Sequence, residues 1–207
     1  LVGSEMCIRD RNRILGTKGK DIYFTVPVEK CPRETPIKDV KISYNEDWQE
    51  KWMGQLTIYK KRAPYYATIM QLVRDVLNCD TQYISEMAIN SVIKTCQYLG
   101  IELNYDVYSK MNLPLFEVEA PDEWALGITR EMKYDTYVNP PGGKTFFDAN
   151  KYKKANIELE FLTQEIQKYN QRIREFVPGL SILDVMMFCT PEEIRSMMDS
   201  YKIEKGE

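Results

Sequence analysis

Between Ile101 and Leu162 the sequence switches repeatedly between two hydrophobic periods, and that switching limits the fold more than any other feature. "IELNYDV" from Ile101 alternates as a strand does. Pro121 to Met132 carries a helical period that opens at Ala120 to Glu123, and "YDTYV" alternates again up to Val138. After the loop "NPPGGKTFFD" comes a short helical stretch near Ala149 to Ala155, then "IELEFL" from Ile157. Strands that alternate with helices are the pattern of βαβ units and parallel pairing. The outer runs alternate instead of staying apolar throughout, so one face of the sheet is expected to be partly exposed. The fold class that follows is α/β, with a mixed, partly parallel sheet flanked by helices.

The first hundred residues begin in β period and end in helical period. "DIYFTVPV" from Asp21 to Val28 sets Ile22, Phe24, Val26 and Val28 against Tyr23, Thr25 and Pro27, with Pro27 placing the strand at an edge or near its end. Val40, Ile42 and Tyr44 form a second alternating run. Three helices are expected next. The first carries Trp48, Trp52, Leu56 and Tyr59 on one face, is opened by Asp47 with Glu50, and ends before Pro64. Its tryptophans read as core packing ahead of a sugar-stacking platform. The second runs from Tyr65 or Tyr66 to Leu77. The third runs from about Thr81 to Leu99, with Ile84, Ala88, Val92, Cys96 and Leu99 on its apolar side and Gly100 as its stop. Two C-terminal helices are expected to close the chain, the second opened by "TPEEI", where Thr190 caps, Pro191 takes the first helical position and Glu193 completes the box.

Composition removes several function classes. The 28 basic and 31 acidic side chains leave a net charge of −3, which supplies no excess of cations for neutralising many phosphates, so nucleic acid is not expected as a partner. Apolar runs such as "LSILDVMMF" are too short to span a bilayer, and the default compartment is the cytoplasm. The five cysteines contain no C-x-x-C pair, so neither a zinc site nor a redox dithiol is suggested, and no metal site is assigned. The chain has no histidine, which leaves carboxylates, tyrosines, lysines and thiols as its acids and bases.

Three stretches can carry chemistry. In "YVNPPGGKTFF" two prolines stiffen the exit from a strand, and Gly142 and Gly143 are expected to turn the backbone at positive φ and admit a ligand closely. Lys144 and the amides of the following helix then face a phosphate or carboxylate, against the alternative of a plain tight turn. "RNRI" sets two guanidinium groups around an amide, a combination suited to an anion, although arginines there are also readily solvated. "FVPGLSILDV" places Ser181 and Asp184 three apart at a helix start, where capping and a substrate-directed base are both open readings.

Taken in order, "NRI" at Asn12 to Ile14, "VKIS" at Val40 to Ser43, "APYY" at Ala63 to Tyr66, "YVNPPGG" at Tyr137 to Gly143 and "FVPGLSILDVMMF" at Phe176 to Phe188 resemble the bacterial WbqC-like protein family. The resemblance implies surface-polysaccharide assembly of the O-antigen type. A transferase role, with glycine transfer to a sugar among the suggestions, is proposed for such proteins. It implies Asn139, Gly142 and Gly143 as ligand-loop positions, Ser181 and Asp184 as a polar pair with Asp184 as the catalytic candidate, and Asn12 with Arg13 as an anion contact. Tyr169 and Gln171 resemble a "Y-x-Q" element of the family. The implied substrate is a nucleotide-linked or lipid-linked sugar, with a non-catalytic binding or scaffold protein of the same pathway as the alternative; no cofactor is assigned. Alanine at Asp184 is expected on this reading to remove turnover and spare the fold. Family members carry an aromatic-rich segment before "N-R-N-R-I". Here "LVGSEMCIRDR" stands in its place and resembles translated sequencing-adapter read-through. Residues 1–11 are therefore expected to be an artefactual leader, residues 12–207 a single domain, and the N-terminal portion of the fold to be missing.

Overall fold

The computed structural model describes residues 13–16, 21–114 and 118–206, and these cluster into two compact units. The first holds residues up to 105 together with 168–197; the second holds 106–167 and 198–206. Seven α-helices and two sheets, one mixed and one antiparallel, occur among the described residues, an α/β fold as the alternating periods imply.

In the first unit β1 (Arg13–Leu15) pairs antiparallel with β2 (Asp21–Tyr23), with Ile14 opposite Ile22. β2 is shorter than the run Asp21 to Val28: beyond Tyr23 the alternation persists only as single bridges, Val28 to Ile42 and Lys41 to Tyr83. The helices stand close to expectation as α1 (Trp48–Leu56), α2 (Tyr66–Leu77) and α3 (Ile84–Leu99). Asp47 accepts from Glu50 N at 3.0 Å, and Gly100 closes α3 at φ 66°, where a glycine has no Cβ to clash. On α3 the buried side is Met87 and Leu99, while Ala88 and Val92 of the expected face are exposed. Trp48, Leu56 and Tyr59 enter the main core with Ile14, Leu15, Ile69, Met186 and Met187, and Trp52 packs edge-on to Phe24 at 4.3 Å. The tryptophans are core.

"IELNYDV" is not a strand: residues 101–107 hold no ladder, although Ile101 packs on the core. Alternation marks which side of a segment faces inward and is silent on whether a neighbouring strand exists.

The second unit contains α4 (Glu123–Glu131), β3 (Thr136–Asn139), α5 (Ala149–Lys154), β4 (Glu158–Gln164) and β5 (Tyr201–Lys205). β3 and β4 are parallel, joined through α5 as a βαβ unit, and β5 adds antiparallel to β4. One sheet face, with Tyr137, Leu159 and Phe161, packs on Phe147 and Tyr152. The first-unit helices α6 (Ile182–Phe188) and α7 (Pro191–Met198) precede β5 in sequence. Thr190 N donates to Glu193 Oε2 at 2.7 Å and Glu193 N to Thr190 Oγ1 at 3.2 Å, the reciprocal box read from "TPEEI". Helices do not close the chain, since β5 follows them.

The turn after β3 departs from its expected backbone. Pro141–Gly143 form a single 3-10 turn, and neither glycine has positive φ. A Cβ at Gly142 would meet open space, whereas one at Gly143 would collide with the Asn139 amide and stand 2.8 Å from the Phe147 ring. Phe147 is held among Tyr137, Tyr152 and Phe161 and has little room to yield. Gly143→Ala is therefore expected to cost about 1–3 kcal/mol in urea unfolding, and Gly142→Ala to stay within about 0.5 kcal/mol of wild type. Equal effects would remove the packing role given to Gly143.

Candidate functional site

The sequence candidates fall into two groups, one in each unit. In the first unit the chain converges on Asp184. This residue lies in the first turn of α6, behind the N-cap Ser181, whose hydroxyl accepts from Leu183 N at 3.3 Å. The preceding turn is set by Gly179 at φ 66°, a conformation a side chain would strain. β1 is tied to this helix start: Ser181 N donates to Arg13 O at 2.8 Å, and the Arg13 guanidinium donates to Gly179 O at 3.0 Å. Arg13 also pairs with Asp21 at 2.9 Å, so its charge is already met by a carboxylate. Asn12 lies outside the described residues.

Asp184 is 0% exposed and takes three side-chain donors. Tyr59 O–H donates to Oδ2 at 2.6 Å, Tyr169 O–H to Oδ1 at 2.5 Å, and Gln171 Nε2 to Oδ1 at 3.1 Å. Each donor is itself held. The Tyr59 oxygen accepts from Leu15 N at 2.8 Å, the Tyr169 oxygen from Gln171 Nε2 at 3.1 Å, and the Gln171 amide exchanges bonds with Val177 N and O at 2.8 and 3.0 Å. β1, the turn after α1, the 169–177 loop and α6 are thus joined through one carboxylate.

No cation is among these partners, and the electrostatics follow from that. Burial pushes the Asp184 carboxyl above its ordinary range, against the pull of Tyr169, Tyr59, Gln171 and the Leu15 N–H, which favour the ionised form. Burial first, and then the neighbouring carboxylate, push both the Tyr59 and Tyr169 phenols upward. Burial, with Glu193 and Asp184 nearby, raises the Cys189 thiol to about 11. Chemically the arrangement is a chain of hydrogen bonds that links two phenols and an amide to one carboxylate. Of its four side chains Asp184, Tyr59 and Gln171 are buried, and Tyr169 alone keeps partial access to solvent.

Tyr59 was not separated from the core aromatics in the sequence. The available signal was chemical: a tyrosine on a buried helical face needs a partner for its hydroxyl, where phenylalanine would need none. Gln171 of "Y-x-Q" is more deeply buried than Tyr169 and holds the loop to Asp184.

The second group is Asn139, Gly142, Gly143 and Lys144. Asn139 accepts from Tyr137 O–H at 3.0 Å and donates to Pro140 O at 2.9 Å, so its amide serves the turn. Lys144 Nζ pairs with Glu204 at 2.6 Å. The amides of α5 do not wait for an anion from outside, because Asp148 caps that helix and accepts from Asn150 N at 2.9 Å. A cavity of about 320 Å³ adjoins the turn, with Phe147, Ala149, Leu159 and Phe161 as its apolar lining and Lys144 and Glu204 as its charged edge. Among the described residues no group of three or more His, Cys, Asp or Glu side chains is arranged to hold a metal, and no helix is long and apolar enough to cross a membrane.

The sequence model of the WbqC-like protein family matches residues 4–196, a span that contains every strand and helix that positions Asp184 and the whole β3 to β4 unit. The chain belongs to the WbqC-like protein family. No curated protein and no solved structure matches it. In this WbqC-like chain the "P-x-L-S-I-x-D" segment is thus the stretch that caps α6 and seats the buried carboxylate, and "Y-x-N-P-x-G-G" is the packed turn beside the cavity.

Proposed function

We propose that this protein is a transferase of bacterial surface-polysaccharide assembly that moves an acyl or aminoacyl group, glycine among them, onto a nucleotide-linked or lipid-linked sugar. Family membership supports the pathway. One observation carries the chemistry: a fully buried carboxylate is joined by a 2.5 Å hydrogen bond to the phenol of Tyr169, a residue that keeps partial access to solvent. Asp184 then works through Tyr169 and does not meet substrate itself. The acceptor hydroxyl or amine gives its proton to the Tyr169 oxygen as the phenol proton passes to Asp184 Oδ1. The acceptor heteroatom bonds to the acyl carbon, the bond from that carbon to the donor's leaving group breaks, and the proton returns along the same path to the departing group. Burial raises the Asp184 carboxyl, which favours its taking up a proton.

The test is turnover with acyl and aminoacyl donors and nucleotide sugars, read by mass spectrometry of the product. Tyr169→Phe is expected to keep the fold and lower kcat by about 10²–10⁴. Full activity in Tyr169→Phe would remove the relay. A second reading, a binding or scaffold protein of the same pathway, is favoured by the completeness with which protein donors satisfy Asp184. It is the outcome if the wild-type chain binds a nucleotide sugar and forms no product with any donor.

A further inference from the structure

The outer edge of β5 carries a charge pattern that complements itself. Among the described residues β5 has a strand on one side only, β4. The bonds flanking the ladder fix its phase: Gly206 N donates to Leu159 O and Glu165 N to Ser200 O, each at 2.8 Å. With Glu204 opposite Phe161 and Lys202 opposite Thr163, the even-numbered residues turn their backbone groups toward β4. Those of Tyr201, Ile203 and Lys205 therefore point outward, unpaired by a strand. The side chains of Tyr201 and Ile203 are 46% and 47% exposed, on a sheet face shared with Val138 at 45%. Exposed edges of this kind invite strand addition unless the edge is guarded.

We propose that two copies of this chain pair their β5 strands antiparallel about Ile203, turning two three-stranded sheets into one of six strands. In that register Ile203 meets the partner's Ile203 and Tyr201 meets the partner's Lys205 across hydrogen-bonded positions, which makes about six new N–H···O bonds. Lys202 meets the partner's Glu204 across the non-hydrogen-bonded positions, where side chains approach most closely, and symmetry repeats the pair. The order lysine, isoleucine, glutamate selects the occupant. Reversed about Ile203, it presents a carboxylate to each lysine and a lysine to each carboxylate, so the chain's own copy fits where a strand of uniform charge is repelled. Lys202 already pairs with Glu165 and Glu204 with Lys144, each at 2.6 Å, so the new contacts extend existing ion pairs into a ladder.

Sedimentation velocity on the 207-residue chain over a concentration series tests this, with circular dichroism as the check on folding. The mass is expected to rise from 24.3 kDa toward twice that value. Ile203→Pro removes an outward N–H that β4 does not use, so it should keep the spectrum and abolish the dimer. Lys202→Glu sets like charges opposite each other and should weaken association about tenfold or more, and Lys202→Glu with Glu204→Lys should restore it. The proposal is overturned by a single 24.3 kDa species at every concentration. It is also overturned by a dimer that ignores Ile203→Pro or the charge reversal, or by one that only Val138→Lys breaks, which would place the contact on the open sheet face.

Discussion

Asp184→Ala is expected to lower the free energy of unfolding by about 3–5 kcal/mol, and Asp184→Asn by about 1–2 kcal/mol or less. Alanine leaves the Tyr59 hydroxyl and one Gln171 N–H facing a void in a site with no solvent, and β1, the 169–177 loop and α6 lose their common partner. Asparagine keeps the shape and one acceptor oxygen. Its new amide group can donate to the Tyr169 oxygen, and the Gln171 amide, which loses its bond to Oδ1, keeps the Tyr169 oxygen and Val177 O as acceptors. Removing a buried charge that meets no cation among the described residues offsets part of either loss. Urea unfolding of the three proteins decides it: alanine as benign as asparagine would mean the network does not hold the unit together. This prediction departs from the expectation that alanine at position 184 spares the fold. Loss of activity in that variant would report unfolding as readily as chemistry, which is why Tyr169→Phe is the variant to assay.

The βαβ unit was legible in the sequence because both of its signals are local. β period, turn residues and helical period follow one another within thirty residues, and the parallel pairing of β3 with β4 follows from that order. The capping residues Asp47, Ser181 and Thr190 were legible for the same reason. β5 was not, since five residues alternating tyrosine and isoleucine with charges resemble a solvated tail until β4 is present to receive them. Asp184 was visible as an acid inside an apolar run, and its capping and chemical readings could not be separated. What distinguishes them is a phenol 125 residues away in sequence, and no local pattern encodes that distance. The positive φ expected at the glycines of the β3 turn is absent: Gly143 is instead required by the Asn139 amide and the Phe147 ring against it, a packing constraint that turn propensity does not encode.

Tyr59→Phe should separate the structural from the titrating role of this network. The substitution keeps the ring against Phe188 and removes one oxygen, which takes an acceptor from the Leu15 N–H and the phenol donor from Asp184 Oδ2 in the core. A loss of about 2–4 kcal/mol is expected at neutral pH. Its pH dependence has a definite sign. Asp184 holds its proton more tightly in the folded chain than in the unfolded one, where the carboxyl titrates near 4, so the folded state binds more protons between those two values. The stability this residue contributes is therefore full below about pH 4 and is lost as pH rises through the folded value. Tyr59 is one of the donors that hold that value down, and without it the folded carboxyl rises further and the window widens upward. The deficit of Tyr59→Phe should accordingly shrink as pH is lowered toward 4, since a protonated Asp184 no longer needs the phenol to stabilise a charge. The phenols and the Cys189 thiol titrate far above this range and do not enter it. Unfolding of wild type, Tyr59→Phe and Asp184→Asn from pH 4 to 8 reads the effect directly. A Tyr59→Phe deficit that is flat across the range would mean Asp184 does not change its protonation there, and the asparagine variant, which carries no carboxyl at 184, provides the reference against which that flatness is judged.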